Sequence, residues 1–313
     1  MARYIIKRLL SIIPVLIGIS LVVFFSVRLI PGDFATIALG TQYTEEAAEA
    51  LRVQYGLNRP LFEQYFIWLS QLLTGNMGYS YASGAAVAEL LGNALPITLE
   101  LTFLSLLVAV FVGIPMGYWA GCKRNKLPDS IVTVIGLLGI SIPGFWLGTM
   151  MILLLSLKMG LFASGGFVPL SQGLGANLKS MVMPVLALGS AVSAVVMRSS
   201  RSAMIEVIDQ EYIKMVRAKG ASGPRLIFKH AVRNTLVNVL TILGLQTGSL
   251  LGGSVVIEKI FSLPGIGSLA LKAINSRDYL LLQGTVLFVA LMFVLINLIV
   301  DLLYCVVNPQ IKY

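Results

Sequence analysis

TLELTFLSLLVAVFVGIPMGYWAG, residues 98–121, runs for 24 positions with a single charged side chain, Glu100. A helix needs about 20 mostly apolar residues to cross a hydrocarbon core about 30 Å thick. The stretch meets that length and leaves no polar face for water, so it reads as a membrane span. Gly113, Gly117 and Gly121 recur every fourth position and therefore share one helix face. In lipid no hydrophobic effect draws helices together, and such faces work by letting two backbones approach closely.

Outward from this run, five further segments pass the same test, giving spans at 9–27, 98–121, 130–157, 181–197, 236–257 and 280–307. Composition agrees: 57% of residues are hydrophobic and 12% charged, with a mean hydropathy of +0.88, where a soluble domain carries about a quarter charged. The fold class predicted is all-α integral membrane, one transmembrane domain over 1–313 with six transmembrane helices. Arg3, Lys7 and Arg8 precede the first run as in a signal peptide, but the apolar stretch is long and no small-residue cleavage site follows, which predicts a retained helix.

Orientation follows from the 23 Lys/Arg. With the N-terminus inside, 15 of them fall in the inner segments 1–8, 122–127, 198–233 and 308–313, and 8 in the much longer outer ones. Cytoplasmic N- and C-termini are expected, and the net charge of +9 is accounted for by membrane placement and anionic lipid rather than by nucleic acid. Within the outer segment 28–96, EEAAEALRVQYGL and LFEQYFIWLSQLL have helical apolar spacing interrupted at Asn58 and Pro60. They read as short amphipathic helices on the outer surface, either covering the membrane domain or meeting a partner.

Gly244, Gly248 and Gly252 repeat the three-glycine face in the fifth span. Both glycine faces serve helix packing, a subunit interface or a pathway lining. Polar groups inside the spans are few: Glu100, Gln246, Asn297 and Asp301. Asn297, Asp301, Tyr304 and Asn308 form one stripe that must face protein or water, and Asp301 reads as a structural pair near the cytoplasmic end rather than a proton relay.

No Gly-x-x-x-x-Gly-Lys-Ser/Thr loop is present to cradle nucleotide phosphates. His230 is the single histidine, and the two cysteines, Cys122 and Cys305, stand apart at span ends. No catalytic site, metal site or disulfide is expected, so the chain is not expected to be an enzyme.

The inner segment 198–233 carries EYIKMVRAKG at 211–220. Asp209 reads as an N-cap, Glu211 as the first-turn anion, Arg217 and Lys219 as last-turn cations and Gly220 as the left-handed stop, defining a helix over 210–219. Tyr212, Met215 and Val216 share one side as an apolar knob, and a second short helix is expected over 225–233. Attraction to anionic lipid explains the charge, but a capped helix with an apolar knob fits a groove on a partner protein better.

EYIKMVRAKG followed by FKHAVRN resembles the cytoplasmic coupling loop of permeases in dipeptide, oligopeptide, glutathione and nickel-type ABC importers. The resemblance extends over RYIIKRLL, RLIPGD, YGLNRPLFEQYFIWL, GNMGYS, LPITLEL, GGSVVIEKIFSLPGIGSL and NPQIKY. GLQTGSLLGGSVVIEKIF is especially similar to the glutathione branch, and the whole resembles the first of the two permeases. It implies a type I importer permease fold with a cytoplasmic coupling helix, a second non-identical permease, two ATPase domains or subunits using ATP and Mg, and an extracytoplasmic solute-binding protein. Tyr212, Met215, Val216, Ala218 and Gly220 would lie in the helix that docks on an ATPase. Lys214, Met215 and Val216 stand where the general motif has Glu-Ala-Ala. The expected solute is a peptide or glutathione, with a nickel or metal chelate as alternative; from another class, a self-sufficient secondary carrier is the rival.

Overall fold

The computed structural model describes residues 2–29, 35, 39–54, 56–221 and 223–307. Among them the chain is mostly helical, joined by turns and short loops, with one isolated bridge between Tyr79 and Ala86. The helices are α1 (Ala2–Arg28), α2 (Glu45–Gln54), α3 (Leu61–Leu73), α4 (Val87–Cys122), α5 (Leu127–Ser141), α6 (Gly144–Lys158), α7 (Leu174–Ile208), α8 (Glu211–Ala218), α9 (Val232–Ile260), α10 (Ile266–Asn275) and α11 (Tyr279–Val307). Five are long and apolar enough to cross a membrane alone: α1, α4, α7, α9 extended back to Leu226, and α11. The bent pair α5–α6 makes a sixth if it crosses as one broken span.

That bend is the main departure from the straight span expected over 130–157. The axes of α5 and α6 diverge by 93° across Ile142 and Pro143. Pro143 has no N–H to continue the ladder, and its ring drives Ile142 to an extended ψ of 119°. Pro14, Pro96 and Pro184 lie inside α1, α4 and α7 without ending them, because membrane helices re-satisfy the freed carbonyls through neighbours and local adjustment. In α4 a π turn spans Ala109–Gly113.

The chain divides into two compact units, Met1–Pro96 with Gly265–Val294, and Ile97–Pro264 with Leu295–Tyr313. In the first, α3 does not lie loosely on a surface. Its Tyr65 and Trp68 pack on Phe24 of α1, with ring centroids 5.3 and 5.5 Å apart, and the Tyr65 hydroxyl meets Ser20 Oγ at 2.8 Å. Val27, Val87, Leu91, Ala273, Leu281 and Leu282 form the core. Buried Asp278 fastens the GNMGYS turn to it. One carboxylate oxygen accepts from Ser80 Oγ (2.6 Å) and the Ala82 N–H (3.2 Å), and the other accepts from the Leu281 N–H (3.1 Å) at the start of α11.

The second unit is organised around α7, a 35-residue helix. A Cβ added at Gly113 would lie 2.7 Å from the Ser193 carbonyl oxygen. One at Gly117 would collide with the Met197 carbonyl, and one at Gly121 would lie 2.8 Å from Met204 Cβ. The α4 glycine face thus brings two backbones together, the use that close packing in lipid makes of small residues. Gly244 differs: its neighbour is Val300 of α11, with an added Cβ 2.5 Å from Cγ1, and a Cβ at Gly252 would meet nothing within 4 Å. Residues 198–208, taken from their charges as loop, continue α7 because Ser200, Ala203 and Met204 are buried there.

Candidate functional site

Two residues, Asp209 and Gln210, separate α7 from α8. Asp209 is not the N-cap; that position is Gln210, which makes no side-chain capping bond. The Asp209 carboxylate instead accepts from Arg124 Nη1 at 2.8 Å. An adjacent pair is more enclosed. Arg201 grips Asp129 through two parallel bonds, Nε to Oδ1 and Nη2 to Oδ2, the second 2.8 Å long, and the Asn125 N–H adds a third at 2.9 Å. Two-pronged guanidinium–carboxylate contact fixes orientation as well as distance. Together the two pairs tie the turn between α4 and α5 to the end of α7, and so set where α8 begins.

α8 runs from Glu211 to Ala218, shorter than expected at both ends. Lys219 is its C-cap, leaving Arg217 as the last-turn cation and Gly220, at φ +85°, as the left-handed exit. The helix is held by Ile213, which is 1% exposed and went unmarked in the sequence because it lies between the residues of the knob. Tyr212 is half-exposed, with its hydroxyl accepting from Asn234 Nδ2 at 2.8 Å; burial pushes that phenol upward from its ordinary pKa. Met215 is 56% exposed, Val216 half-buried, and Ala218 and Gly220 exposed. Lys214 pairs with Glu211 at 2.7 Å, which raises the ammonium pKa. The expected second helix over 225–233 is not separate: a π turn at Leu226–Ala231 runs directly into α9.

On α9, Asn238, Thr241, Leu245, Ser249, Gly252 and Val256 are exposed along one stripe. Gln246 and Gly248 are half-buried beside it, as is Asn297 on α11. The Asp301 side chain, the Tyr304 side chain and Asn308 lie outside the described residues. Near the α8 end of the stripe is a cavity of about 570 Å³ lined by Arg198, Ser199, Ser202 and Glu206 of α7 with Asn238 and Thr241 of α9. It offers one cation, one anion and a run of hydroxyl and amide groups. Sequence reading missed a further group: Glu258 is fully buried and accepts from Thr98 Oγ1 at 2.7 Å. Its place at the end of an apolar run made it look like a loop residue.

Residues 113–313 match the family described as binding-protein-dependent transport system inner membrane component, and residues 1–102 match its N-terminal counterpart. The chain is 38% identical, over all 313 residues and the full length of the relative, to the glutathione transport system permease protein GsiC of Escherichia coli strain K12. It is equally similar, again end to end, to a Brucella abortus chain carrying a provisional name as a peptide transport system permease protein. Among solved structures, an inward-facing conformation of the MetNI methionine ABC transporter matches with a TM-score of 0.57 at 20% identity, covering 70% of this chain and 96% of that one. At that identity the likeness speaks for the fold.

Proposed function

Because the chain belongs to the binding-protein-dependent transport system inner membrane components, and is thus a permease of an ABC importer, we propose that it forms half of a pathway for peptides or peptide-like solutes such as glutathione. A second, non-identical permease supplies the other half. ATP and Mg are used by two partner ATPase domains or subunits, and an extracytoplasmic solute-binding protein delivers the cargo. The chain sits in a bacterial or archaeal cytoplasmic membrane with both termini and α8 on the cytoplasmic side.

The observation that carries this reading is α8. Its buried side is locked to its own chain by Ile213, while Tyr212 and Met215 stay open to a partner groove. ATPase closure pushes there, and Tyr212, Met215, Val216, Ala218 and Gly220 form the contact. The cavity supports a zwitterionic cargo over a metal chelate: Arg198 and Glu206 are two turns apart, about 12 Å along α7, a spacing that suits the carboxylate and ammonium of a short peptide. The open α9 stripe, Gly252 included, faces the partner permease or the pathway.

Reconstitution into proteoliposomes with the partner permease, ATPases and binding protein tests this. ATP-driven uptake of labelled dipeptide, tripeptide or glutathione is expected, and uptake of a nickel chelate is not. Transport by the purified chain alone, driven by an ion gradient, would refute the importer mechanism.

A further inference from the structure

The first unit holds a polar cavity beside the end of α1. Arg28, the last residue of α1, is partly buried at its wall. Its guanidinium lies 3.5 Å over the Phe24 ring, and Nη1 donates to the Phe24 carbonyl at 3.3 Å. Nη2 and Nε share one acceptor, Gln64 Oε1, at 2.7 and 3.3 Å. That oxygen is aimed at Arg28 because the other end of the amide is fixed: Gln64 Nε2 donates to the carbonyls of Arg59 (2.7 Å) and Leu57 (3.1 Å). Among the described residues no carboxylate pairs with Arg28. Charges withdrawn from water are normally matched by a counter-charge, and among the described residues none is paired with this one.

The space beside the guanidinium is about 380 Å³, walled by Trp68, Tyr81, Tyr279 and Gln283. Gln283 is 2% exposed, and its Nε2 is buried with no hydrogen-bond partner. An amide donor left unmade in the interior is costly. A cation and an unused N–H₂ thus line one cavity whose other walls are three aromatic rings, aliphatic side chains such as Ile67 and Leu280, Gln71, and Arg59, which is already paired with Glu63 at 2.8 Å.

The geometry points to a carboxylate-binding site: a small organic acid places its carboxylate between Arg28 and Gln283 and its apolar body against Trp68, Tyr81 and Tyr279. A planar, two-oxygen anion satisfies the guanidinium and the amide together, and the aromatic walls select against bare inorganic anions. A free peptide C-terminus has this chemistry, as does any short N-acyl amino acid. The inference stands apart from the transport reading, since it concerns binding in the first unit alone.

The test uses the full chain in nanodiscs with its partner subunits. Of the three tryptophans, Trp119→Phe and Trp146→Phe leave Trp68 as this chain's reporter, and a Trp68→Phe complex subtracts partner signal. N-acetyl-leucine is expected to shift Trp68 emission saturably. N-acetyl-leucinamide, the same body without charge, should bind at least tenfold more weakly, as loss of charge-assisted bonds implies. Arg28→Gln should abolish the response. Gln283→Leu should weaken it about tenfold while leaving the unliganded melting temperature unchanged or higher, because an unmade buried donor is removed. Equal affinity for acid and amide overturns the proposal, as does an unaltered response in Gln283→Leu or inorganic phosphate binding as tightly as the acid.

Discussion

Replacing Gly117 by alanine adds one methyl group where α4 touches α7. The new carbon would collide with the Met197 carbonyl, sit 2.7 Å from Ser200 Cβ and 3.1 Å from the Arg201 amide nitrogen. Carbon atoms pack at about 3.5 Å, so the Ser200 contact alone demands a separation of about 0.8 Å. Backbone atoms form two of the three neighbours, and they cannot swing aside as a side-chain tip can. Overpacking of this kind costs about 1–3 kcal/mol. Against it stands the helix preference of alanine over glycine, up to about 1 kcal/mol, leaving a net loss of up to about 2 kcal/mol. Gly92→Ala, on the same helix with nothing within 4 Å of the added carbon, gains the preference without the clash and should be neutral or stabilising. Thermal unfolding in detergent, followed by a fluorescent thiol dye or by retention on size exclusion, separates the two. If Gly117→Ala melts at or above the wild-type temperature, or moves in step with Gly92→Ala, the backbone contact between α4 and α7 is not what holds the second unit together.

Arg201→Met should cost about 3 kcal/mol, since it strands the Asp129 carboxylate, 6% exposed, with only the Asn125 N–H; Asp129→Leu added to it should restore at least half the lost thermal stability. Asp278→Asn gives up charged hydrogen bonds to Ser80, Ala82 and Leu281 and should cost about 1–3 kcal/mol, seen as faster proteolysis at 76–86. Val216→Asp or Gly220→Pro should stop ATPase copurification while the chain still inserts in the membrane; unchanged copurification would count against α8 as the docking helix. Met215→Cys, 56% exposed at the native side chain, should react with a membrane-impermeant maleimide only from the cytoplasmic side, with the other native thiols replaced.

The spans were legible as runs of apolar residues because hydrocarbon demands little else, yet their ends were not. Residues 198–208 carry Arg198, Arg201 and three serines, and charge read them as loop. In the structure Ser200 and Met204 pack on Gly117 and Gly121, a tertiary fact that overrides local polarity. The bend between α5 and α6 was missed: the apolar run over 130–157 read as one span although Pro143 lies inside it, and its 93° angle depends on what each half packs against. α8 was readable in its stop signal, Gly220, and misread at its start, because Asp209 had a better partner in Arg124, 85 residues earlier. Glu258 could not be assigned a buried place without Thr98 beside it. The helical pattern of α8 was local; what anchors it, Ile213 and Asn234, comes from packing and was not legible.

α7 is a rod of 35 residues, about 52 Å at 1.5 Å per residue, and α8 hangs from one end of it by two residues. Stiffened along α4 with almost no compressible side chain between the backbones, it behaves mechanically as a lever. A tilt of about 5° about one end swings the other by about 4.5 Å over that length, close to one helical turn. A small rotation imposed where α8 is held would therefore arrive at the other end of α7 as a displacement of several ångströms, without any helix having to unwind.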